Sequence, residues 1–194
     1  MMEYLPWVED DEDEALAWII SKPAELEGDS YQIHEKSSIR AWWPDEVTFD
    51  LSPDYGVKVC DFIPTVLGLH IISEKLKKIL ESECGEGFDF YPVKIRNQKG
   101  RLVKKPYYLA HLRKIIAAMD WEQSDFDASS MSPDQALNIR KLVLDENKIP
   151  EGTKIFALHE QPDLWLVSYD LAVKIYRDED CDGMAFIDIG DYWA

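Results

Sequence analysis

The chain contains one stretch of sequence twice. Leu69-His70-Ile71-Ile72-Ser73-Glu74-Lys75-Leu76 is followed by Ile79-Leu80 and then Gly87-Phe88-Asp89-Phe90. Leu164-Trp165-Leu166-Val167-Ser168-Tyr169-Asp170-Leu171 is followed by Lys174-Ile175 and then Gly183-Met184-Ala185-Phe186. The offset is 95 residues through the middle of each copy and 96 after it. Each copy has an apolar run, a serine, a helix-period segment, a glycine and a second apolar run. That order predicts strand, N-capped helix, turn, strand. Ser73 and Ser168 are placed to accept a first-turn N–H, which a helix start leaves without a partner inside the helix. Leu76, Ile79 and Leu80 recur at i, i+3, i+4 and Leu171 and Ile175 at i, i+4, so each segment carries one apolar helix face. Gly87 and Gly183 supply backbone freedom at the turn. Two copies are too few for a solenoid. They predict two related units sharing one core.

At 194 residues the chain is expected to form a single domain. Within it, 61–194 holds the repeats and 1–60 is less regular. Between the copies, Phe88 to Ile95 reads as a strand with Pro92 at an edge or bulge. Asn97-Gln98-Lys99-Gly100 and Ile149-Pro150-Glu151-Gly152 read as turns, and Lys154 to Leu158 as a short strand. Tyr107 to Met119 has helical spacing but strand-forming residues at its start. Ser124 to Pro133 reads as polar loop, and Ile139 to Leu144 is apolar with β-branched content. Ala15 to Ile20 suggests one or two helical turns stopped by Pro23. The expected class is α+β: two repeated strand-helix-strand units sharing a mixed, largely antiparallel sheet, with a less regular N-terminal segment.

Charge excludes several functions. The net charge is −17, and it is unevenly spread: −9 over residues 1–30, −3 over 31–70, +6 over 71–118 and −11 over 119–194. A balance this acidic argues against a general nucleic-acid binder and against docking on anionic lipid, both of which need a cationic face. The longest apolar candidate, Phe62 to Ile72, spans 11 residues, against about 20 for a membrane helix. The acidic N-terminus does not resemble an export signal. Three widely spaced cysteines, Cys60, Cys84 and Cys181, show no CxxC spacing and suit a reducing compartment. A cytoplasmic protein is expected.

Catalytic motifs are missing. His34, His70, His111 and His159 are scattered, and no nucleophile elbow, phosphate loop or dinucleotide fingerprint is present. Asp178 to Gly183 imitates the first half of a calcium loop, but Ile189 stands where the closing glutamate belongs, so neither metal nor cofactor is expected. Two features suit a partner instead. The run Glu9, Asp10, Asp11, Glu12, Asp13 and Glu14 reads either as a solvated strip or as a docking strip for a basic partner. Trp42 and Trp43, beside Pro44-Asp45-Glu46, read either as core or as a protein-binding anchor.

Beyond these features, the segment from Asp61 to Phe186 resembles a bacterial immunity-protein family of polymorphic toxin systems, the eleventh so numbered. The matching words are Asp61-Phe62, Ile72-Ser73-Glu74-Lys75-Leu76, Phe90-Tyr91-Pro92-Val93, Tyr107-Tyr108-Leu109 and Asp120 with Ser124. Lys141-Leu142-Val143-Leu144-Asp145, Ile155-Phe156-Ala157-Leu158, Val167-Ser168 and Gly183-Met184-Ala185-Phe186 continue the match, which rests on their order and spacing. The first 60 residues match only through Trp43-Pro44 and Val47-Thr48-Phe49. The resemblance implies a cytoplasmic, non-enzymatic protein that binds and blocks a cognate toxin secreted between competing bacteria. Strong acidity suits a toxin with a basic surface, such as a nuclease. Two other readings compete: a small enzyme with an unrecognised acid–base site, and a regulatory ligand-binding module.

Overall fold

The computed structural model describes residues 3–26, 33 and 37–193; His34 lies outside them. Strand β1 is Tyr4–Glu9, β2 Thr48–Asp50, β3 Phe62–Ile63 and β4 Ile71–Ser73. Helix α1, Glu74–Cys84, precedes β5 Phe88–Arg96, β6 Tyr107–Leu112 and β7 Ile115–Ile116. A hairpin follows, made of β8 Asp125–Ala128 and β9 Ala136–Lys141. The chain ends with β10 Ile155–Leu158, β11 Gln161–Ser168, helix α2 Tyr169–Val173 and β12 Met184–Phe186. The strands form two five-stranded sheets, ordered β12-β1-β11-β10-β7 and β2-β5-β6-β4-β3. The class is α+β, and the sheets are mixed and largely antiparallel.

The two repeats fold alike. In the first, β4 and β5 flank α1, and β6 lies between them, antiparallel to both. In the second, β11 and β12 flank α2, and β1 lies between them, antiparallel to both. Each unit is therefore a strand–helix–strand crossover split by an inserted strand. The resemblance reaches one strand further, because β3 pairs antiparallel with β4 as β10 does with β11. The units sit in separate sheets, one each, and what they share is the core. Leu76, Ile79 and Leu80 of α1 and Leu171, Ala172 and Ile175 after Ser168 all belong to one buried cluster.

That cluster lies where the two sheets face each other. Leu5, Trp7, Ile155, Ala157, Trp165 and Val167 enter it from one sheet, and Phe62, Ile72, Phe88, Ala110 and Leu112 from the other. The alternate residues go to the outer faces. Phe156, Leu158, Leu164 and Leu166 pack outward with Ala136, Ile139 and Leu142. Ile71, Tyr91, Val93, Ile95 and Leu109 pack outward under Ile19, Ile39, Val47 and Phe49. Strands buried on both faces read as unbroken apolar runs, which is why Leu164 to Val167 shows no polar alternation.

Both serines are helix N-caps. Ser73 Oγ accepts from Leu76 N–H at 3.3 Å and donates to Asp61 Oδ1 at 2.6 Å. Ser168 occupies the same position without a side-chain capping bond, and after Val173 its helix widens into a π-type turn, Lys174–Asp178. Ser73→Ala should therefore cost about 1–2 kcal/mol, and Ser168→Ala clearly less, in matched denaturant titrations. The left-handed backbone after α1 falls on Gly85, with φ 62°, because the helix ends at Cys84.

Two sequence expectations need correcting, and one left open between helix and strand is decided. Ala15 to Ile20 is not helical. Leu16 and Ile19 form parallel bridges to Lys58 and Thr65, and the Ala15 backbone crosses directly over Gly56, where a Cβ would have no room. Ser124 to Pro133 is not all loop, since Asp125–Ala128 is a strand; its acids pair with Arg140 across the hairpin. Tyr107 to Met119 resolves into strands, because its apolar residues face clusters on both sides of a sheet. Pro92 is exposed in β5, beyond the reach of β2, which pairs only with Lys94 to Arg96.

Candidate partner-binding site

Strand β1 runs into the acidic strip. Its second half lies beside β12, with Trp7 opposite Phe186, Val8 opposite Ala185 and Glu9 opposite Met184. Leaving β1, the chain carries Glu9, Asp10, Asp11 and Glu12 along the lip of a cleft of about 770 Å³. The start of β11, the strand beside β1 in the sheet, contributes Gln161, Asp163 and Leu164, and Asp191, Tyr192 and Trp193 also line the cleft. Trp18 and Tyr176 also line it.

The floor is aromatic and buried. Trp7, 3% exposed, makes edge contacts with Phe62 at 5.5 Å, Trp165 at 5.8 Å and Phe186 at 5.2 Å. His70 stacks flat on Trp165 at 3.5 Å. The indole N–H of Trp7 is buried without an acceptor among the described residues. At the mouth the rings face solvent: Tyr176 is 60% exposed and Trp193 79%. Large exposed rings beside a concave surface mark a binding face more often than scattered exposed apolar residues do.

The carboxylates are not equivalent. Desolvation holds Glu9 above the usual carboxylate range, and the nearby charges of Asp163 and Asp11 push the same way, against its backbone hydrogen bonds. Ionised Glu9 is thus disfavoured in the folded protein. Its contribution to stability is intact below the unfolded carboxylate pKa and is lost as pH rises through the raised folded value. Glu9→Gln should accordingly raise the melting temperature at pH 7, with the gain vanishing as pH approaches 4.5; thermal melts of both proteins across that range test it.

The acidic strip divides. Glu9 to Glu12 line the cleft. Asp13 accepts from Ala15 N–H at 3.0 Å and from Lys58 at 3.2 Å, which hold its carboxyl below the ordinary range, so it ties the strip down. Glu14 is exposed and is not among the cleft residues. Trp42 and Trp43 do not line the cleft either. They are half-buried on the outer face of the second sheet, with Trp43 5.1 Å from Tyr91. The cleft residues that sequence reasoning missed include Trp7, Asp163, Tyr176, Phe186, Asp191 and Trp193. The Tyr4-Leu5-Pro6-Trp7-Val8 run was a readable strand signal, and Asp191-Tyr192-Trp193 was an aromatic-acid cluster; nothing local joins them.

The calcium-like segment serves the fold. Asp182 accepts from Asp61 N–H at 2.9 Å and pairs with Lys58 at 3.1 Å, while Lys75 donates to the Asp180 carbonyl at 2.9 Å. Among the described residues no three His, Cys, Asp or Glu side chains converge as metal ligands. His159 meets Asp134 at 3.0 Å in an exposed pair, and buried His111 lies 3.9 Å from Asp89. No helix among the described residues is long and apolar enough to cross a membrane. In comparisons with known proteins, no curated protein matches the chain. The model of a family described as immunity protein family (Imm11) matches residues 10–191.

Proposed function

The chain belongs to the Imm11 immunity protein family, and from that membership we propose that it is a cytoplasmic immunity protein that binds a cognate antibacterial toxin and blocks it by complex formation. It acts without turnover, as one domain, in a polymorphic toxin system used in competition between bacteria. The toxin presents a basic surface, and a nuclease is the class that suits it best. A nuclease is basic where it grips phosphate, so an acidic inhibitor is drawn to that face and competes with nucleic acid for it. The observation that carries the reading is the family match over almost the whole chain. The acidic, aromatic cleft and the charge of −17 support it.

Co-expression tests it. Cells producing the toxin encoded beside this gene should survive only when the chain is present, and the two proteins should co-purify one to one. A chain that protects against no neighbouring toxin is not an immunity protein of this kind.

A further inference from the structure

The cleft admits a more specific assignment, which rests on the immunity reading for the partner's identity but not for the chemistry of the site. We propose that the cleft is a receptor for an arginine side chain on a basic loop of the partner protein, its guanidinium set against the exposed rings of the mouth and paired by the carboxylates of Glu9 and Asp163.

Charge selects the occupant's sign. Glu9, Asp10, Asp11, Glu12, Asp163 and Asp191 line the cleft, and among the described residues no lysine or arginine does. No ion pair to these acids is present among the described residues, whereas Asp13, just outside the site, has Lys58. The ring faces of Tyr176 and Trp193 reinforce the preference, since aromatic faces attract cations. Together, rings and carboxylates favour guanidinium over ammonium, because it is planar, stacks on rings, gives up water more readily and offers a fork that matches a carboxylate.

Size selects a loop over a free ion. A volume of about 770 Å³ is that of a site for a multi-group ligand. The rim acids are spread around it and form no metal-type group among the described residues. The floor also holds an unpaired donor: Trp7, 3% exposed, lines the cleft and has an indole N–H without an acceptor among the described residues.

Indole N–H signals of the ¹⁵N-labelled protein test the chemistry without any toxin. The probes are acetyl-Gly-Arg-Gly-amide and its lysine and glutamate analogues. The arginine peptide should shift the Trp7, Trp18 and Trp193 signals at millimolar concentration and leave Trp42, Trp43 and Trp121 in place. The lysine peptide should bind several-fold more weakly and the glutamate peptide should not bind. Combined Glu9→Gln and Asp163→Asn should weaken the arginine peptide at least tenfold. Equal shifts at all indoles, or undiminished binding by the double variant, overturns the proposal. A second arm uses the neighbouring gene's toxin. The double variant should bind it at least tenfold more weakly, while Asp45→Asn with Glu46→Gln, an equal loss of charge outside the cleft, should not. If the unaltered chain binds and protects but the cleft variant binds equally well, the arginine site falls and the immunity reading stands. If the unaltered chain neither binds nor protects, the immunity reading falls and the peptide arm alone judges the cleft.

Discussion

Alanine at Gly183 should cost on the order of 3–5 kcal/mol, enough to leave much of a marginally stable domain unfolded. Gly183 has φ 92°, a backbone conformation that is strained for any L side chain. Its missing Cβ would also coincide with the Phe62 carbonyl oxygen and crowd Cys60 Sγ. Neither neighbour can yield cheaply. Phe62 pairs with Ile72 in the sheet and donates its N–H to the Asp182 carbonyl at 3.0 Å, and Cys60 is 2% exposed. The glycine therefore marks where the second unit's return strand passes against the strand that opens the first. Urea unfolding of Gly183→Ala should show the loss, while Gly190→Ala, whose Cβ would meet nothing within 4 Å, should unfold near the parent midpoint. Met184 to Ile187 line the cleft immediately downstream, so surviving folded variant should also bind partner poorly.

Neutralising the lip of the cleft should act on rate. With Asp10→Asn, Asp11→Asn and Glu12→Gln combined, association with a basic toxin at low salt should slow by about 10- to 100-fold, with dissociation little changed. The three side chains lie at the edge, where they attract a partner at a distance and lose little water on contact. The difference should shrink as salt rises, because the screening length falls from about 10 Å at 0.1 M to about 3 Å at 1 M. Trp193→Ala should do the opposite. Its ring is 79% exposed and free to be covered by a partner, so its loss should speed dissociation with little effect on association. Stopped-flow measurements across salt separate the two. Association independent of salt would defeat the electrostatic account.

Much of the fold was legible because its signals are local. The serine caps, the i, i+3, i+4 apolar spacing, the Asn97 to Gly100 turn and the Ile149 to Gly152 turn each depend on residues close in the chain. The Gly100 N–H bonds the Asn97 carbonyl at 2.8 Å, and the Thr153 N–H bonds the Pro150 carbonyl at 3.2 Å. The failures were equally physical. Asp125 to Ala128 is too polar to announce a strand, and its pairing is supported by Arg140, which donates to Asp125 and Asp127 from the opposite strand. Leu16 and Ile19 looked helical because a three-residue spacing does not distinguish a helix face from two bridge points on an extended, curving chain.

The candidate site was half legible. The acidic strip is visible in the sequence as a run of charge, but its division at Asp13 is not, because the partner that captures Asp13 is Lys58, distant in sequence. Trp42 and Trp43 drew attention as adjacent aromatics, yet the rings that open on the cleft are Trp193 and Tyr176.

The sequence by itself determined the duplicated capped units, the apolar periods that bury them and the surplus of acid, since each follows from composition or from neighbours along the chain. Tertiary structure alone decided that β1 fills in the second unit the place that β6 fills in the first, and that each unit has its own sheet. It also decided that Trp7 meets Phe186 at the base of an acidic cleft. Those outcomes depend on pairing between opposite ends of the chain, where no propensity or period acts and only the burial of both sheet faces chooses the partner.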